Sequence, residues 1–164
     1  MLIRLCALLV VLQAACHRDD APAVDDPPQP TSAQARQTED LVNKAAALVA
    51  SKGKAAALAE FRTAGSEWFN GNTYLFAYDM QLNVLLNPAF PQREGTNAHG
   101  LRDPNGKYVH DEFVKVVKAK GSGWVDTVFP RPGDHKVVKK WDYVKAVSFD
   151  GAPGIIGSGF YLDE

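Results

Sequence analysis

Cysteine is scarce in this chain, and the scarcity excludes several chemistries at once. Only Cys6 and Cys16 occur in 164 residues. Two cysteines cannot assemble a thiolate cluster for zinc or an iron–sulfur centre, and no Cys-x-x-Cys-His marks haem attachment. The four histidines, His17, His99, His110 and His135, lack metal-ligand spacing. No glycine-rich loop suits a nucleotide phosphate. Neither a metal nor a cofactor is therefore expected. An excess of one charge is missing too, with 18 Lys and Arg against 19 Asp and Glu. Without a basic cluster interleaved with aromatics, nothing points to nucleic acid. Also absent are an apolar run of roughly 20 residues, the length a spanning helix needs, and any repeat of solenoid period.

What is present begins at the N-terminus. Arg4 precedes an almost purely apolar run from Leu5 to Leu12, and small residues follow at Ala14 and Ala15. This is the composition of a secretory signal peptide, here residues 1–15. Leu12-Gln13-Ala14-Ala15-Cys16 resembles a lipobox, where cleavage precedes a cysteine that receives lipid. Gln13 stands where Leu is usual, which leaves ordinary secretion open. Cys6 would leave with the signal, so no internal disulfide can form afterwards, and acylation would account for the remaining thiol at Cys16. Residues 16–36 alternate Asp19, Asp20, Asp25 and Asp26 with Pro22, Pro27, Pro28 and Pro30. Such a segment buries too little apolar surface to offset its ordering entropy and reads as a disordered tether. The expected location is the bacterial envelope, on the periplasmic side, lipid-anchored to a membrane. His17 rather than Asp after Cys16 leans toward the outer membrane.

Residues 37–164 have the size of one domain. Thr31-Ser32-Ala33-Gln34 can open a helix with Gln34 placed as in a capping box. Leu41, Ala45, Leu48 and Val49 form one stripe, Gly53 punctuates it, and Lys54 to Arg62 resumes it. At Thr73 the period becomes twofold, giving a strand to Tyr78, a turn from Asp79 to Asn83 and a return strand Val84 to Leu86. A loop rich in Pro, Gly and Asn follows, with Asp103 bending an Asp-Pro-Asn-Gly turn. A helix from about Tyr108 to Lys120 ends at Gly121. Three strands close the chain, Trp124–Phe129, Val137–Phe149 and Ile155–Tyr161. The order predicts an α+β fold, an antiparallel five-stranded sheet with long N-terminal helices packed on one side.

The same residues carry a resemblance. Tyr74-Leu75-Phe76-Ala77-Tyr78-Asp79 through Asn87-Pro88, Gly95-Thr96-Asn97, and Leu101-Arg102-Asp103-Pro104-Asn105-Gly106-Lys107 follow one another in a familiar order. Gly121-Ser122-Gly123-Trp124-Val125, Lys140-Trp141-Asp142-Tyr143-Val144-Lys145 and Ile156-Gly157-Ser158-Gly159-Phe160-Tyr161 complete it. Together they resemble a single Cache domain of the second type, a PAS-like extracytoplasmic sensor. One place departs: Leu82 stands where the family's first turn usually has Gly, so a shifted turn is expected, with Asn83 taking the left-handed conformation.

The resemblance implies a small pocket between sheet and loops that binds small ligands, often short carboxylates. Lys140 is the first expected carboxylate contact, against the alternative of a solvated lysine on a strand shared with Lys136, Lys139 and Lys145. Tyr143 matches the aromatic of the family's Lys-x-x-Tyr. Residues three apart on a regular strand face opposite ways, so both reach one pocket only through a bulge. Trp124 and Tyr78 offer walls with a polar tip or ordinary core. Asn97 and Arg102 lie in the loop expected to cover the pocket. Ser158, in Gly-Ser-Gly, lacks the strand-to-helix elbow of a nucleophile, and the chain does not read as an enzyme. The expected function is small-ligand binding at the envelope, with a membrane receptor or histidine kinase as partner because this sequence carries no output domain. The alternative is a structural or protein-interaction lipoprotein that keeps the fold without a ligand.

Overall fold

The computed structural model describes residues 29–162. The expected signal peptide, Cys16 and most of the expected tether lie outside them. The first described element, α1 (Ala33–Phe61), starts inside the segment read as tether. Its N-cap is Ser32, whose hydroxyl accepts the Ala35 amide at 3.1 Å. The cap thus falls one residue after the expected Thr31. Val42, Ala45 and Val49 bury one stripe, and a second piece buries Ala57, Leu58 and Phe61. Between them Gly53 takes φ +78°, which breaks the helical hydrogen-bond ladder and kinks the rod. The orphaned Lys54 amide is taken up by Asp150 Oδ1 at 3.0 Å, a cap reaching across 96 positions of sequence.

Beyond α1 come β1 (Phe69–Asn70), β2 (Thr73–Asp79), β3 (Val84–Leu86), a 3-10 turn at Pro91–Arg93 and α2 (Val109–Lys120). The chain ends in β4 (Ser122–Pro130), β5 (Val137–Phe149) and β6 (Ala152–Tyr161). Among the described residues the sheet has six antiparallel strands, in the order β1-β2-β6-β5-β4 with β3 beside β2. That is one more than expected, because β1 is two residues long and too short to show alternation.

The turn between β2 and β3 differs from its expectation. Leu82 itself, not Asn83, carries the positive φ, at +65°. A branched side chain is strained there, but Leu82 is 2% exposed and its backbone is fixed at both ends. Its amide donates to Asp79 O at 3.0 Å, and its carbonyl accepts from Ala98 N at 2.9 Å. Burial of the side chain and these two bonds hold the strained conformation.

The sheet separates two apolar layers. On one face α1 packs over Leu75, Ala77, Trp124, Tyr143, Ile156 and Phe160. On the other, α2 presents Val109, Phe113 and Val117 to Tyr74, Phe76, Tyr78, Val125, Val144 and Ile155. The alternation along β2 and β5 therefore decides which residues meet the helix and which meet the long loop. No helix among the described residues is long and apolar enough to cross a membrane.

Candidate functional site

On the face away from α1, a cavity of about 160 Å³ opens between the sheet, the start of α2 and the long loop that leads into it. Tyr74, Phe76 and Tyr78 of β2 form its floor, at every second residue of one strand. Phe113 stacks on Phe76 at 5.6 Å, and His110 meets Tyr78 edge-on at 5.5 Å. Phe129 of β4 closes the far wall, and exposed Leu101 and Val137 rim the mouth.

Lys140 enters this wall from β5 and is 3% exposed. Its ammonium lies 4.7 to 5.6 Å from the ring centres of Tyr74, Tyr161, Phe76 and Phe129. A cation surrounded by ring faces is stabilised by their quadrupoles. It donates to Tyr74 Oη at 3.1 Å and pairs with Asp142 Oδ1 at 2.8 Å. Tyr161 Oη stands 3.2 Å from Tyr74 Oη and donates to Pro130 O at 2.7 Å. Burial drives the Tyr74 hydroxyl well above the ordinary phenol range, with the Asp142 charge adding to it, so this hydroxyl stays protonated. Burial likewise raises Asp142, against the opposing Lys140 ammonium.

Arg93, from the 3-10 turn, is the second cation on the wall. Its guanidinium sits 5.0 Å over the Phe129 ring and has no ion pair or hydrogen bond among the described residues. Two neighbours hold its loop: Asn87 Oδ1 accepts Phe90 N at 3.1 Å, and Glu94 accepts Asn87 N at 2.7 Å. His110 is kept neutral. Burial and the Arg93 charge press its pKa down to about 4, and its buried Nδ1 has no hydrogen-bond partner among the described residues.

Of the residues singled out from sequence, Lys140, Tyr78 and Arg102 line this cavity. Arg102 is at the mouth, its guanidinium 4.4 Å over the Tyr108 ring. Tyr143 and Trp124 do not reach it. The β4–β5 register runs unbroken from Ser122↔Lys145 to Pro130↔Val137, so no bulge turns Tyr143 to the Lys140 side. Tyr143 instead lies beneath α1, its ring tilted against Trp124 at 5.1 Å, and donates to Ser122 Oγ at 3.0 Å. Asn97 braces the β2–β3 turn, donating to Gln81 O and Asn83 Oδ1, both at 2.8 Å. Asp103 does bend its turn, accepting Asn105 N and Lys107 N at 2.9 Å. Ser158 donates to Tyr74 O at 2.8 Å and ties β6 to β2.

Sequence reading passed over Arg93, His110, Asp142, Phe129 and Tyr161. Asp142 had a signal available: it stands two residues from Lys140 and shares its strand face. Arg93 had none, since a loop has no period to read.

The family model for single Cache domain 2 matches residues 33–164. The chain belongs to that family. Two solved Cache-type domains lie close to it. A periplasmic sensor domain of a chemotaxis protein has a TM-score of 0.63 at 32% identity, covering 79% of this chain and 95% of that one. A Cache chemosensory domain solved for carboxylic acid recognition has a TM-score of 0.66 at 30% identity, covering 80% and 95%. Among curated relatives, the methyl-accepting chemotaxis protein McpP of Pseudomonas putida is 29% identical over 96 residues, 58% of this chain and 17% of its own length. The sensor histidine kinase MctS of Rhizobium johnstonii is 33% identical over 91 residues, 56% and 19%. This Cache domain chain thus spans less than a fifth of either curated relative.

Proposed function

We propose that this chain is an extracytoplasmic sensor module that binds a short carboxylate and passes its occupied state to a membrane receptor or histidine kinase. One observation carries the reading: two cations, Arg93 and Lys140, share one small cavity with the rings of Tyr74, Phe76, Tyr78 and Phe129. Among the described residues, nothing occupies the donor fork of Arg93, which suits a bidentate carboxylate contact. Lys140 spends one donor on Tyr74 and faces Asp142 with another, leaving a third for the ligand. At about 30 Å³ per water-sized atom, the cavity holds roughly five non-hydrogen atoms, the size of a two- to four-carbon acid. Recognition of a carboxylic acid by a similar solved domain, and the receptor and kinase relatives, support the ligand class and the kind of partner.

Lipid attachment at Cys16 belongs to the same reading and rests on Leu12 to Cys16 of the sequence. Labelled fatty acid incorporated into wild type and lost in Cys16→Ser is the expected result; equal labelling of both refutes it.

The ligand reading is tested by thermal unfolding with acetate, propionate, butyrate and neutral isosteres. A ligand at 100 times its dissociation constant adds about 2.7 kcal/mol. Wild type should shift with one or more acids and not with the isosteres, and Arg93→Ala should lose the shift. A panel that shifts nothing turns the function toward a protein-interaction role.

A further inference from the structure

Asp142 is 4% exposed yet almost unbonded. An ionised carboxylate offers about four acceptor sites. Among the described residues its polar partner is Lys140 alone, close enough to Oδ1 for an ion pair but poorly aligned for a hydrogen bond. Buried carboxylates are normally satisfied by several donors, because an under-bonded acceptor pays its full desolvation cost. The neighbouring strand gives it space rather than bonds. Gly159 is its cross-strand partner, and a Cβ there would collide with Asp142 and with the Trp141 carbonyl. Asp142 also lines the cavity, which sets its carboxylate beside the space a ligand would take. The charges of that wall reinforce this. Lys140 balances Asp142, Arg102 balances Asp103, and Arg93 remains as one net positive charge.

We propose, building on the carboxylate reading above, that Asp142 determines specificity. Its carboxylate accepts a hydrogen bond from a hydroxyl or ammonium group beside the ligand's own carboxylate, and it repels a second negative charge. The ligand class is then a short monocarboxylic acid with a hydrogen-bond donor on the adjacent carbon. Donor-free acids bind less well, and dicarboxylates bind least.

The test is calorimetric titration of the purified full-length chain with four three-carbon acids: propionate, lactate, alanine and malonate. In wild type, lactate or alanine should bind about tenfold or more tighter than propionate, and malonate about tenfold or more weaker. Lactate against alanine tells a hydroxyl from an ammonium donor. Asp142→Asn should erase the donor advantage and bring malonate level with propionate. A variant that weakens all four acids by one common factor, or wild type that binds malonate as well as propionate, overturns the inference while leaving carboxylate binding intact. Binding of none of the four overturns both. Should Asp142→Asn fail to fold, wild type alone decides through pH. Malonate affinity should rise as its second carboxyl protonates while propionate affinity stays level, and an unchanged malonate affinity refutes the proposal.

Discussion

Removing the Lys140 ammonium while keeping its bulk, by Lys140→Met, isolates one half of a buried ion pair. Both partners are almost wholly enclosed, with side-chain exposures of 3% and 6%. Breaking such a pair from one side leaves a desolvated charge, which costs about 3–5 kcal/mol. With a urea slope of about 1.5 kcal/mol/M, the unfolding midpoint should fall by about 2–3 M at neutral pH. The loss also has a definite pH dependence. Asp142 is already raised by burial, and without Lys140 opposing, it rises further. A carboxyl whose folded value exceeds its unfolded value of about 3.9 holds a proton in the folded state that the unfolded chain has released. Its stabilisation is complete below that unfolded value and is lost as pH climbs through the folded one, by at most about 1.4 kcal/mol per pH unit. The gap between variant and wild type should therefore be widest at neutral pH and shrink on acidification. His110 adds to the same trend: without the Lys140 charge its depression eases, so the variant loses less stability on acidification than wild type does. Adding Asp142→Asn removes the orphaned charge and should restore more than half of the loss. Urea melts of the three proteins at pH 7 and pH 5 measure all of this. A Lys140→Met protein that loses under about 1 kcal/mol at both pH values would show that no buried ion pair exists here.

Two further predictions concern other parts of the chain. Asp150→Ala removes the cap on the second half of α1 and should cost about 1 kcal/mol, whereas Asp150→Asn, which can still accept the Lys54 amide at a positive φ of 54°, should cost little; equal losses in chemical denaturation would sink the capping role. His110, with a folded pKa of about 4, should show no imidazole titration by NMR between pH 8 and 5. Its unfolded value is about 6.5, so the unfolded chain gains a proton first and stability falls from pH 6.5 toward pH 4, by at most about 3 kcal/mol. His110→Leu should flatten that slope, and a native titration near 6.5 refutes the burial argument.

Much of the fold was legible because its signals are local. The change of period at Thr73, the αL glycine ending α2 at Gly121, and the Asp150-Gly151 turn each follow from a few neighbouring residues. The site was legible only as far as strand parity reaches. Parity separates Lys140 from Tyr143, and the unbroken register between β4 and β5 enforces that separation. Parity equally joins Lys140 to Asp142, yet a buried carboxylate in a pocket for carboxylates is hard to expect from composition, since it opposes the ligand's own charge. Arg93 and His110 depend on how a loop and a helix start fold over the sheet, contacts that span long sequence separations and leave no periodic trace. What links these three residues is that each lacks its full set of polar partners among the described residues. Among the described residues Arg93 has no carboxylate of its own, His110 is held neutral, and Asp142 is short of donors. A wall in which polar groups are buried but incompletely bonded stores its unmade interactions for something else, and burying them costs stability in the empty domain. That cost has a physical reason if a ligand supplies the missing partners. The same groups that make the empty domain less stable would then make the occupied one distinct, which is the difference a sensor has to report.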